Sequence, residues 1–140
     1  MIDYLPNLEI PISKDQARLL SPLVLAFVGD AVQTLYVRTS LVLTTTLQTN
    51  ELHKQTSEKV KAVSQAKQID ILLDKFTDEE LAIYKRGRNS SPNTIAKNAS
   101  VAEYKKASGL EAVIGYLYLT GDHERLNNLL KISMEEKWVK

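Results

Sequence analysis

Two carboxylates stand where a carboxylate is costly. Asp30 lies inside LVLAFVGDAVQTLYVR (23–38), in which the residues before Gln33 leave almost no polar face, and Glu111 is the single charge of ASGLEAVIGYLYL (107–119). A charged side chain in apolar surroundings must be hydrogen-bonded, paired or bound to a cation. Each acid also shares its stretch with a glycine, Gly29 and Gly115. In a helix interior glycine costs about 1 kcal/mol against alanine unless close approach by another element repays it. If both stretches are helices that cross in the core, the two acids meet at the crossing. Close carboxylates repel, so one must hold a proton or a cation must lie between them. Oxygen ligands alone suit Mg²⁺, which keeps several waters and takes one or two carboxylates together with phosphate oxygens. The other arrangement is two unrelated acids, each paired with its own Arg or Lys or capping a neighbouring helix. The 81 positions between Asp30 and Glu111 leave both arrangements open.

Charge placement adds a second signal. Between Tyr84 and Ser108 lie Lys85, Arg86, Arg88, Lys97, Lys105 and Lys106 against one acid, Glu103, so this stretch carries +5 and the rest of the +1 chain carries −4. Gly87, Asn89, Ser90, Ser91 and Asn93 add small hydrogen-bonding groups suited to phosphate and 2′-hydroxyl contacts. A charge run is most often a solvated face. Beside a helix carrying a candidate metal ligand, it reads as a nucleic-acid face.

The totals narrow the alternatives. A chain of 140 residues is long enough for one core and is read as a single domain over residues 1–140. With 44% hydrophobic and 25% charged residues the composition is that of a soluble globular protein. The absence of cysteine removes disulfides, thiolate catalysis and Cys-based zinc sites. His53 and His123 are far apart and each in a polar context, which argues against a His-based metal site or a Ser-His-Asp triad. The start, MIDYLPNLEIPI, has neither the basic beginning nor the apolar run of a signal peptide. No run approaches the ~20 apolar residues that cross a bilayer. The expected location is the cytoplasm, with no membrane partner.

The elements that must position these residues are all helical. Residues 1–13, with Pro6 and Pro11, read as an extended arm, and Ser13 caps a short helix from Lys14 to about Leu20. Ser21 and Pro22 start the long Asp30 helix. A loop is expected over TSLVLTTTLQTN (39–50), then helices over Glu51 to about Val63 and Gln65 to Phe76, the latter started by Ser64 with Ala66, Ile69, Leu72, Leu73 and Phe76 on one face. Thr77 with Glu80 is a capping box opening Asp78 to about Arg86, and residues 86–99 read as a loop. Ser100 with Glu103 opens the Glu111 helix, Gly121 stops it, and Asp122 caps a last helix burying Leu126, Leu129, Leu130 and Met134. The expected architecture is all-α, with six or seven helices.

FVGDAV resembles the FLGDAV signature helix of the ribonuclease III endonuclease domain, and SGLEAVIGYLYL is similar to that family's second acidic helix, which ends in a run like EALIGAIYL. The family's Glu four positions before the Asp is Ala26 here, and its Asp three positions before the Glu is Ser108. RGRN, KNAS and YKKASGLEAVIGYLYL resemble the Mini-ribonuclease III branch, which lacks a double-stranded-RNA-binding domain and characteristically has Ala and Ser at those two positions. The resemblance spans about Leu20 to Leu130 and leaves the N-terminal arm uncovered.

What the resemblance implies is an all-α, ribonuclease III-like homodimer that cleaves double-stranded RNA with Mg²⁺, Mn²⁺ being able to substitute. The branch trims precursor 23S ribosomal RNA with help from a ribosomal protein. By motif, Asp30 and Glu111 would be the catalytic metal ligands. The metal would activate water for attack on the phosphate. Lys85, Arg86, Arg88, Asn89, Lys97 and Lys105 would form the RNA surface, and Ser108 would help position a metal-bound water. Phe27 matches the residue that inserts into the partner subunit. With two acids lost, a single firmly held ion is expected. The competing reading is a non-catalytic protein of the same fold that binds structured RNA in ribosome assembly. Retention of both acids in apolar helices favours the enzyme. A helical DNA-binding domain is a third reading, and the sequence lacks the basic recognition helix it needs.

Overall fold

Gly29 and Gly115 set the central packing of the fold. In the computed structural model, which describes residues 9–90 and 100–138, α2 (Pro22–Thr44) crosses α6 (Val101–Leu119) with both glycines at the contact. A Cβ on Gly29 would lie 2.7 Å from the Glu111 carbonyl carbon and nearer still to its oxygen, and one on Gly115 would press in the same way on the carbonyl of Leu25. The two backbones touch, which answers the question of why a helix interior carries glycine there.

Around this pair lie α1 (Lys14–Leu19), α3 (Thr49–Val60), α4 (Ala62–Leu72) with a 3₁₀ turn over Leu73–Lys75, α5 (Asp78–Ser90) and α7 (His123–Trp138). The described residues are helices and connecting turns, as the sequence predicts. α6 is the hub, packed by α2, α5, α4 and α7. Its apolar circumference is buried on every side, from Ala107 to Leu117 with Glu111 the partly exposed exception. α2 is apolar all round for a different reason. One face, with Leu25, Val32, Tyr36, Val37 and Leu41, enters the core, while Leu23, Val24, Phe27 and Leu35 stand exposed on the other. No helix among the described residues is long and apolar enough to cross a membrane.

Helix starts follow their caps. Ser13 with Gln16, Thr77 with Glu80 and Ser100 with Glu103 each form reciprocal side-chain-to-backbone pairs at 2.9–3.1 Å. Ser21 Oγ accepts from the Leu23 N–H ahead of Pro22, and Gly121 ends α6 at φ +77°. Boundaries without such devices fall elsewhere than expected. α2 continues through Thr44, because Ser40 and Leu41 are buried and the hydroxyls of Thr44 and Thr45 donate to the carbonyls of Ser40 and Leu41. α3 ends at Val60, and α4 starts at Ala62 after an extended Lys61, so Ser64 is not a cap. Its hydroxyl donates back to the Glu58 carbonyl. Leu73, expected on the buried face, is exposed in the 3₁₀ turn.

The expected loop over 86–99 is corrected in its first part: α5 runs on to Ser90. Gly87, which suggested a loop, is a packing glycine whose Cβ would come 2.8 Å from the Ala112 Cβ. Residues 91–99, including Lys97, Ser91 and Asn93, lie outside the described residues, as do residues 1–8 of the expected arm. His123 is buried instead of polar in context, with its ring 5.6 Å from that of Tyr118.

Candidate active site

The crossing brings Asp30 and Glu111 together. Asp30 directly follows Gly29, the glycine pressed against the Glu111 carbonyl, so the closeness of the backbones fixes the closeness of the acids. The two carboxylates are within hydrogen-bonding reach of each other. Asp30 is exposed and Glu111 partly buried, so the pair opens to solvent on one side. The sequence reading of Asp30 as a carboxylate sunk in apolar surroundings is thereby corrected: it sits at the edge of the exposed apolar face of α2.

Burial pushes the Glu111 carboxyl up to about 8; an N–H from Gln65 works against this, and the neighbouring Asp30 adds to it. At neutral pH the site without a cation therefore holds a proton where a positive charge is wanted. This is the donor set of a hard divalent ion: two converging carboxylates, one solvent-facing side, no sulfur or imidazole. The described residues contain no cluster of three or more His, Cys, Asp or Glu. A bound ion would complete its shell with water and phosphate oxygens, which fits Mg²⁺.

Ser108 is buried on α6, three residues before Glu111 and hence on the same side of the helix. Phe27, one turn before Asp30, is 80% exposed. The basic residues fall into groups. Lys85, Arg86 and Asn89 are exposed on the last turns of α5, and Arg88 lies over the Tyr84 ring with its centre 5.6 Å away and donates from Nε to Asn89 Oδ1 at 3.2 Å. Lys105 is partly buried on α6, and Lys106 pairs with Asp70 at 3.3 Å. Gly87, counted among the RNA-contacting groups in the sequence, is buried against α6 and removed from that role.

Three site residues escaped the sequence reading. Gln65 donates to Glu111 Oε2 at 3.1 Å, and behind it Gln33 and Gln68 are buried and hydrogen-bonded to each other at 2.8 Å. Gln33, the residue that ends the apolar run in the sequence, is fully buried and does not start a polar face. The missed signal is a spacing: Gln65, Gln68, Ile69 and Leu72 fall at the i, i+3, i+4, i+7 positions of a core-facing stripe.

The ribonuclease III domain model matches residues 23–122. The chain is 45% identical over 135 residues to a Mini-ribonuclease 3 of Thermoanaerobacter sp. (strain X514), covering 96% of this chain and 94% of that one. It is 50% identical over 115 residues to a Mini-ribonuclease 3 of Staphylococcus aureus (strain NCTC 8325 / PS 47), covering 81% and 86%. A crystal structure of a Fusobacterium nucleatum protein superposes with a TM-score of 0.78 at 32% identity, over 86% of this chain and 96% of that one.

Proposed function

Since this chain belongs to the ribonuclease III domain family and is an endoribonuclease of the Mini-ribonuclease 3 group, we propose that it cuts double-stranded RNA as a symmetric homodimer, with Mg²⁺ held by Asp30 and Glu111. The observation that carries this reading is the convergence of these two carboxylates across the α2–α6 crossing. The bound ion would supply Lewis-acid chemistry, lowering the pKa of water and stabilising the charge that develops on the phosphate and leaving oxygens.

The protein's own groups do the rest. Glu111, anchored by Gln65, presents a fixed oxygen, and Asp30 presents the other from the solvent side. Lys85, Arg86 and Asn89 on the exposed end of α5 would neutralise phosphates and reach 2′-hydroxyls, with Arg88, Lys97 and Lys105 extending that surface. Ser108 would line the Glu111 side of the site. The duplex would lie along this surface, with one active site for each strand across the two-fold axis. The proposed natural substrate is precursor 23S ribosomal RNA, delivered with a ribosomal protein as partner.

The test incubates the purified protein with a perfect RNA duplex, with and without Mg²⁺, beside Asp30→Asn. Expected are Mg²⁺-dependent cuts on both strands, with the rate in Asp30→Asn lower by at least about 10³-fold, roughly 4 kcal/mol of lost transition-state stabilisation, and duplex binding retained. Full cleavage by the variant would remove Asp30 from the chemistry. Binding without cleavage by both proteins would point to an RNA-binding scaffold.

A further inference from the structure

The Glu111 carboxylate is the outer end of a chain of buried amides. Gln65 Nε2 donates to Glu111 Oε2 at 3.1 Å and also to Gln33 Oε1. Gln33 Nε2 donates to Gln68 Oε1 at 2.8 Å, and Gln68 Nε2 donates to the Lys59 carbonyl at 2.9 Å. Gln65, Gln33 and Gln68 are 2%, 0% and 0% exposed.

The chain has a direction. A glutamine amide offers two N–H donors and one carbonyl acceptor, and by shape alone it fits equally well turned over. One end of this chain is not ambiguous: the Lys59 carbonyl, in the last turn of α3, can only accept. Gln68 must therefore turn its NH₂ toward it, leaving its carbonyl to accept from Gln33. The Gln33 carbonyl then accepts from Gln65. Both N–H groups of Gln65 are thus committed, one to Gln33 and one to Glu111. Turning any amide over would set donor against donor or acceptor against acceptor in a space sealed from water, where unsatisfied polar groups are most costly.

We propose that Gln65 is a positioning residue of the metal site, aligned by Gln33 and Gln68, and that the chain from the Lys59 carbonyl fixes which oxygen of Glu111 meets the ion. With Oε2 held by the Gln65 N–H, Oε1 is the oxygen that carries no such bond and is turned to share a divalent ion with Asp30. The inference rests on the reading of Asp30 and Glu111 as ion ligands.

The experiment counts Mn²⁺ bound to the RNA-free protein by electron paramagnetic resonance, alongside the Mg²⁺ dependence of cleavage. Gln65→Met keeps length and loses the donor, and its Mn²⁺ dissociation constant should rise by about 10–100-fold, the usual effect of losing an outer-shell partner. Gln68→Met touches neither carboxylate, yet it should weaken Mn²⁺ several-fold, and the double variant should be no weaker than Gln65→Met. A purely structural role would lower the melting temperature and leave Mn²⁺ affinity alone. Wild-type affinity in Gln65→Met would overturn the positioning role, and wild-type affinity in Gln68→Met would overturn the relay. Should Gln65→Met fail to fold, the side-chain NH₂ resonances of Gln65 in the wild-type protein decide: they should shift on saturation with Mg²⁺, and unmoved resonances overturn the proposal. Glu111→Gln separates the two readings, since unweakened Mn²⁺ binding there refutes the ion ligands themselves.

Discussion

Glu111 binds its proton far more tightly in the folded chain than an unfolded carboxylate does, near pH 8 against an ordinary value of 4.5, because it is buried and faces Asp30. Between those two values Glu111 holds more of its proton in the folded state than in the unfolded one, so its contribution to the stability of the ion-free protein falls as pH rises. The contribution is fully present below about pH 4.5 and lost as pH passes through about 8. In chelator, the melting temperature should decline from about pH 5 to about pH 8. Glu111→Gln should flatten that slope and gain about 1–2 kcal/mol at neutral pH, roughly 3–8 °C in melting temperature. Mg²⁺ should raise the wild type and leave the variant where it is. An equal slope in both proteins would place the titration elsewhere. The meeting of Asp30 and Glu111 was suggested in the sequence by one charge in each of two apolar helices, a sound reason for the partly buried Glu111 and not for Asp30, which is exposed. Gln65 and Gln68 sit in just as buried a stripe, but an uncharged amide leaves no imbalance to notice, and its partners come from other helices.

The same crossing makes a prediction for the helices. A Cβ on Gly115 would lie 2.8 Å from the carbonyl carbon of Leu25, backbone against backbone, where no rotamer change gives relief. Gly115→Ala must push α2 away from α6, and overpacking of this kind costs about 1–3 kcal/mol or more. We expect about 3 kcal/mol by urea denaturation with an unchanged slope, and weaker ion binding because Asp30 moves with α2. A loss below about 0.5 kcal/mol, the range of an ordinary surface substitution, would mean that the helices do not meet there. The two glycines were visible as an anomaly in the sequence, and the close approach they require is what the fold supplies. Helix starts could be read wherever a side chain closes the first turn, as at Ser13, Thr77 and Ser100. The ends of α2 and α5 could not, since Leu41 is buried where α2 meets α3 and Gly87 is pressed on α6, and packing across the molecule is not written in local composition.

At the scale of the molecule, the exposed face of α2 remains to be covered. Phe27 projects from it at 80% exposure, and beside it lies a depression of about 410 Å³ lined by Phe27, Ala31, Leu35 and Tyr118. A projecting ring and a hollow on one surface are self-complementary under a two-fold rotation, in which each copy fills the other. Asp30 lines the same depression, so in the proposed dimer the active site borders the interface. Phe27 then counts twice in every dimer. A buried aromatic anchor is worth about 2 kcal/mol or more on truncation, so losing both copies should cost about 4 kcal/mol, roughly a thousandfold in the dimer dissociation constant. Phe27→Glu adds a charge where the ring would be buried, and should be monomeric by sedimentation equilibrium at concentrations where the wild type is dimeric. Its helical content should be unchanged, since in the single chain this side chain supports nothing in the core. Paired cutting of the two strands should fall with the dimer, because a lone site meets one strand at a time. If Phe27→Glu sediments as the wild type does, the two-fold contact lies on another face and the covering of α2 must be sought in a different partner.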